Sequence, residues 1–244
     1  MKVASLREDR PVYAHWSNRL HYSLPMKFQF PKVYPILDST VIPIEGREAF
    51  LRRLGTSLAD AGVTLFEYRN KIGSDAEVLA DATILRKAMP QPSIKLILDD
   101  RVHLVGEAGF DGVHVDVGDM APAEARKVLG MHRIVGTFGG SETLVPGVLD
   151  QPADYFSIGP IGLTTTKQTS KSQIGAEGVR RLREAAGPDI VLVAAGGVTL
   201  ESAPKVLAAG ATTVAVAEAI FRTPDPAVVF RSWIEVLGSF SGSN

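Results

Sequence analysis

The chain has 244 residues, 45% hydrophobic and 22% charged, with a formal net charge of −1. That is material for a sizeable core, not a disordered chain, and it lacks the basic block with which a protein grips nucleic acid by its phosphates. Zero cysteines exclude disulfides, thiolate metal sites and a cysteine nucleophile. No apolar run reaches the length of a transmembrane helix, and the N-terminus has charges where a signal peptide needs its apolar region, so the expectation is a cytoplasmic protein with no membrane partner.

Residues 1–30 mix charges with His15, Trp16, His21 and Tyr22 in no sustained period. They read as an N-terminal extension, either partly disordered or docked as an arm through Trp16, Tyr22 and Leu24, with Met26 as a second candidate start. From Val33 the text becomes regular. Short apolar segments bounded by polar residues or glycine read as buried parallel strands at 33–37, 63–69, 94–98, 112–115, 133–138, 155–159, 190–197 and 213–217. Helical periods lie between them. In the segment after the first strand, Phe50, Leu51, Leu54 and Leu58 recur at three- and four-residue steps and Gly62 supplies the stop. Further helices are expected at 75–88, 101–108, 121–129, 142–149, 176–186, 200–209 and 225–237.

Alternation of strand and helix predicts a parallel sheet, and about eight strands is the count of a TIM (β/α)8 barrel, an α/β fold. A doubly wound open sheet shows the same alternation, but neither G-x-G-x-x-G nor G-x-x-x-x-G-K-[ST] occurs in the chain. No linker divides residues 31–237, which read as one domain, and 238–244 read as a frayed tail.

Polar clusters fall at the ends of many of these strands, which in a barrel share one face. After the second strand, EYRNK delivers Arg69 and Lys71, two cations able to hold phosphate; a solvated strand end is the simpler alternative. After the third, Asp99 and Asp100 stand side by side, and adjacent carboxylates repel unless a cation compensates. After the fourth come Asp116 and Asp119, so carboxylates from two neighbouring strand ends could share one Mg2+, which completes its shell with water and substrate phosphate. The alternatives are helix caps, Asp100 for a segment starting at Arg101 and Asp119 for one starting near Pro122. His114, between valines, reads as a hydrogen-bonded core residue. After the sixth strand, GPIGLTTTKQTSKSQIG at 159–175 offers three threonine hydroxyls and the ammonium groups of Lys167 and Lys171, an inventory suited to phosphate oxygens or simply to a soluble, mobile loop. The Gly196-Gly197 turn after the seventh strand has the place of the usual barrel phosphate site.

Taken together, these segments resemble the thiamine phosphate synthase (thiamine-phosphate pyrophosphorylase) family over roughly residues 33–222. EYRNK is similar to the family's Q-[LI]-R-x-K, DDR at 99–101 to its N-D-R, GVHVDVGD to its G-V-H-L-G-Q-x-D, GPIGLTTTK to its G-P-x-x-x-T-x-T-K, and AAGGV to its A-x-G-G-[IV]. The resemblance implies a TIM barrel and a Mg2+-dependent transferase of thiamine biosynthesis. Such an enzyme joins hydroxymethylpyrimidine diphosphate to a thiazole phosphate and releases pyrophosphate, with a pyrimidine carbocation captured by the thiazole nitrogen.

It implies diphosphate contacts from Arg69, Lys71, Thr166 and Lys167, with Arg69 and Lys167 as the catalytic charges. It implies Mg2+ on Asp100 and Asp119, and Thr164 and Gly197 near the thiazole phosphate. Departures from the family pattern are Glu67 for a glutamine and Asp99 for an asparagine, both near the pyrimidine, Phe138 for a serine after the fifth strand, and Glu218 for a serine after the eighth. Glu218 is expected to turn away from a phosphate that backbone N–H groups near Gly197 can hold alone. Two alternatives accompany this reading: an isomerase of the thiazole tautomerase type, and a non-catalytic phosphate-ligand binder related to the synthase. The expected partners are small-molecule substrates, and a homo-oligomer is compatible with the pattern.

Overall fold

The computed structural model describes residues 28–163 and 172–238. Eight parallel strands close into a barrel in sequence order, β1 Val33–Asp38, β2 Leu65–Arg69, β3 Lys95–Asp99, β4 Gly112–Val115, β5 Ile134–Gly140, β6 Tyr155–Ile158, β7 Leu192–Ala195 and β8 Thr213–Val216, with β8 pairing back onto β1. The open doubly wound sheet is thereby excluded. Around the barrel run α1 Arg47–Asp60, α2 Asp75–Ala88, α3 Pro122–Leu129, α4 Gly175–Ala186, α5 Ala203–Ala208, α6 Glu218–Phe221 and α7 Pro226–Gly238.

Two of the expected helices do not form. At 101–108 there is a 3-10 turn, Val102–Leu104, followed by turns, because Gly106 weakens any helix there and Gly109 takes a left-handed φ of 68°. At 142–149 Pro146 has no N–H to donate, Gly147 is left-handed, and only a 3-10 turn, Val148–Asp150, remains. Elsewhere local chemistry sets the boundaries. Ser74 and Glu77 form a reciprocal capping box at the start of α2, whose first turn carries Asp75 and Glu77 and whose last turn carries Arg86 and Lys87, as the helix dipole favours.

Strand alternation sorts side chains into two cores. One parity faces the helices: Leu37, Phe66, Leu96, Leu98, Val113, Val115, Val135, Leu192 and Val214 pack there with α1, α2 and α7. The other parity fills the lumen with Tyr34, Leu65, Ile97, Ile134, Tyr155, Val193 and Ala215, and Phe28 and Phe30 pack against that cluster from the segment before β1. Phe30 meets the Tyr155 ring edge-on at 5.5 Å. A side chain at Gly136 would collide with the Tyr155 ring, so this glycine makes room for the tyrosine inside the barrel. Below the C-terminal strand ends the lumen is therefore solid, and the space for a ligand lies above Tyr34.

Candidate active site

Lumen parity carries Tyr34, Ile36 and Asp38 up β1, Glu67 and Arg69 up β2, Asp99 on β3, and His114 and Asp116 on β4. Most of these line one cavity of about 470 Å³, with Phe138, Ser157 and the turns after β6, β7 and β8. Among the residues expected at the site, Glu67, Arg69, Asp99 and Gly197 line this cavity. Lys71, Asp100 and Asp119 stand together beside it. Thr164, Thr166 and Lys167 lie outside the described residues, as do the neighbouring Thr165 and Lys171.

The charged cluster is centred on Lys71. Its Nζ lies 2.8 Å from Asp119 Oδ2, 3.1 Å from Asp99 Oδ2 and 3.8 Å from Asp100 Oδ2. Arg69 pairs with Asp38 and places Nε 3.7 Å from the same Asp99 oxygen. Burial opposes the charge on Lys71, but Asp99 and Asp119 outweigh it and hold the ammonium above its ordinary pKa. Asp99 is pushed up to about 6 by burial, against the pull of Lys71 and Arg69. Its Oδ2, despite the ion pairs, has no partner in hydrogen-bond geometry among the described residues.

Neither cap alternative describes the aspartates. Arg101 takes the N-cap position of the 3-10 turn and Ala121 that of α3. Asp100 instead adopts a left-handed φ of 69° and accepts a bond from Arg101 at 2.7 Å, while Asp119 accepts the Asp116 N–H at 2.9 Å. Asp100 and Asp119 reach one and the same ammonium, so two hard-oxygen donors converge on a single cation position, a pair suited to Mg2+. Among the described residues no group of three or more carboxylate or imidazole side chains could enclose a metal ion, so water and substrate oxygens would complete the shell.

Across the cavity, Gly197 has a φ of 70° and lies so close to the chain after β6 that a Cβ there would meet Leu163 O at 2.3 Å. Ile161 and Gly162 donate N–H bonds to Gly196 O at 2.8 and 3.0 Å, and Gly175 donates to Ile161 O at 3.1 Å. Both ends of the segment that carries the threonines and lysines are thus pinned to each other and to the β7 turn. Glu218 is among the residues lining the cavity, and Arg222 Nη2 lies 3.3 Å from its Oε1, so a cation offsets its charge.

Sequence reasoning missed three lumen residues, His114, Tyr34 and Ser157. His114, read as core, is in the cavity wall, stacked on Tyr155 with ring centroids 5.5 Å apart, its Nδ1 3.2 Å from Tyr155 Oη and its Nε2 3.5 Å from Ser157 Oγ. Tyr34 and Ser157 join it there, as does Asp116, which the sequence had already singled out as a carboxylate. The signal that finds them is parity: Asp99 is the register partner of His114, so both face inward.

Fold and site together define a β/α-barrel enzyme whose strand ends gather charge. The family model described as thiamine monophosphate synthase matches residues 33–220. The thiamine-phosphate synthase of Koribacter versatilis is 38% identical over 188 residues, covering 77% of this chain and 88% of that protein. That of Agrobacterium fabrum is 35% identical over 191 residues, covering 76% and 87%. In fold, the chain is similar to thiamine phosphate pyrophosphorylase from Pyrococcus furiosus, with a TM-score of 0.70, 23% identity, and 86% of this chain and 97% of that one covered. The chain belongs to the thiamine monophosphate synthase family.

Proposed function

We propose that this enzyme performs the family's reaction, joining hydroxymethylpyrimidine diphosphate to a thiazole phosphate to give thiamine phosphate and pyrophosphate. The observation that carries the reading is the convergence of Arg69, Lys71, Asp99, Asp100 and Asp119 at the ends of β2–β4, facing a glycine turn across one cavity, in a chain of this family. The cavity has room for two small rings. A diphosphate leaving group gains negative charge as its C–O bond breaks, and fixed positive charge in a dry site lowers that barrier. Arg69 supplies it from the end of β2 and Lys71 from the loop that follows, and Lys167 with Thr166 from the segment after β6. Asp100 and Asp119 would hold Mg2+, which would supply further positive charge against the leaving diphosphate. Glu67 and Asp99 take the pyrimidine at the floor, and Gly197 with Thr164 the thiazole phosphate.

No protein nucleophile is needed for this chemistry. The isomerase and binder alternatives are not favoured, since the relatives are synthases by name. No helix among the described residues is long and apolar enough to cross a membrane. A cytoplasmic enzyme acting on small molecules, without nucleic acid, is the reading that accords with the composition. Incubation with both substrates and Mg2+ tests it. Thiamine phosphate and pyrophosphate should appear in equal amounts, whereas turnover of a thiazole carboxylate phosphate alone would mark a tautomerase, and binding without product a binder.

A further inference from the structure

Of the two cations on and after β2, Arg69 is the one in the cavity wall. Its register partner on β1 is Asp38, so the two side chains leave adjacent strands on the same, lumen-facing side. Asp38 is 5% exposed and does not itself line the cavity. A buried carboxylate is costly unless it is paired and hydrogen-bonded, and here both oxygens are committed. Oδ1 accepts the Thr40 N–H at 3.0 Å and the Thr40 hydroxyl at 2.7 Å, while Oδ2 pairs with Arg69 Nη1.

The two oxygens have different duties. Oδ1 caps the 3-10 turn Ser39–Val41, a task that asparagine or serine performs as well as aspartate. Only Oδ2 needs a carboxylate, for the ion pair with Arg69. On charge alone, a carboxylate beside Arg69 weakens the hold on an anion. Through geometry it does the reverse. Arginine is long and rotamer-rich, and a guanidinium anchored before the ligand arrives loses less freedom when it binds. On its other side, Arg69 Nε lies 3.7 Å from Asp99 Oδ2, too far for a hydrogen bond, so the anchor is Asp38. We propose that Asp38 is a positioning residue that fixes the Arg69 guanidinium in the cavity wall, facing the anionic part of the ligand. The inference rests on the synthase reading for the identity of that anion, a diphosphate, and adds to it the group that aims the cation.

Calorimetric binding of inorganic pyrophosphate to the full chain, in the presence of Mg2+, tests this as a cycle of Asp38→Asn, Arg69→Met and the double variant. Asparagine keeps an oxygen for Thr40 and loses the charge on Arg69, so circular dichroism should match the wild type. Asp38→Asn should raise Kd at least about fivefold and Arg69→Met at least about tenfold, whereas Asp38→Asn added to Arg69→Met should change it by less than about twofold. A purely structural role at the cap would cost the same in both backgrounds, and a purely electrostatic one would tighten binding once the negative charge is gone. Asp38→Ser keeps a cap acceptor by a different side chain and should give the same pattern, which settles the matter if Asp38→Asn does not fold. Tighter or unchanged binding in Asp38→Asn, equal losses with and without Arg69, or no detectable pyrophosphate binding by the wild type overturns the proposal. Should the coupled loss appear while no thiamine phosphate forms from the two substrates, the synthase reading fails and the role of Asp38 stands; should product form while the cycle shows no coupling, the role of Asp38 fails and the synthase reading stands.

Discussion

Lys71 and Asp119 come from the loops after β2 and β4, yet Lys71 Nζ lies 2.8 Å from Asp119 Oδ2, and Asp100 reaches the same ammonium from the end of β3. One position therefore already draws two carboxylates onto a cation. If Mg2+ takes that place, Asp100→Asn and Asp119→Asn should each lower turnover by roughly two or more orders of magnitude while shifting Tm little, since both side chains are partly solvated and at strand ends. Chelation with EDTA should silence the wild type. Full activity in metal-free buffer would refute the assignment.

Lys167 is proposed, with Arg69 and Lys71, as a cation for the leaving diphosphate. Lys167→Ala should lower kcat by about 10²- to 10³-fold, the usual loss on removing one electrostatic stabiliser. Thr165, between the two threonines assigned to ligands, should tolerate alanine, whereas Thr166→Ala should not. Equal losses at Thr165 and Thr166, measured in the same turnover assay, would contradict the residue-by-residue assignment.

Glu67 also makes a prediction about stability. Its carboxyl ionises near 8 in the folded protein and at an ordinary, lower pKa when unfolded, so the folded state binds the proton more tightly. The contribution is fully present below the unfolded pKa and is lost as pH rises towards 8. Glu67→Gln should therefore have a Tm several degrees above wild type at about pH 8.5 and a smaller advantage at about pH 5. Thermal scans across this range check it, and a gap that widens on acidification would contradict the burial argument.

Glu218 stands beside the proposed phosphate turn but is paired with Arg222. The pair offsets the repulsion, though weakly because Arg222 is well exposed. Glu218→Ser should change KM for the thiazole phosphate by only about a few fold in steady-state kinetics. A gain of about a hundredfold or more would show a site built against that phosphate, and a different natural second substrate.

Much of this was legible in the residues because parallel strands buried on both faces spell themselves as unbroken apolar runs. The eight runs from Val33 onward fall on the eight strands, and their polar ends fall on the site. What was not legible depends on closure. His114 sits between two valines that face the helices, and only the register with Asp99 reveals that it looks into the lumen. The two absent helices failed for local reasons that were legible: Pro146-Gly147 and the glycines at 106 and 109 are stop signals that the apolar spacing around them obscured. Lys71 was expected as a phosphate ligand, and its three carboxylate neighbours come from two other strand ends that only the folded chain brings within reach.

Phe28 and Phe30 stopper the barrel at the end opposite the charged rim. The cavity is a well with a floor, so molecules come and go by one opening, and position in depth becomes position in time. If the pyrimidine sits at Glu67 and the thiazole phosphate at Gly197, as proposed, the deeper ring should enter first and leave only when the upper place is vacant or when the two have become one molecule. On that proposal, a stopper formed by residues just ahead of the first strand makes the queue first in, last out.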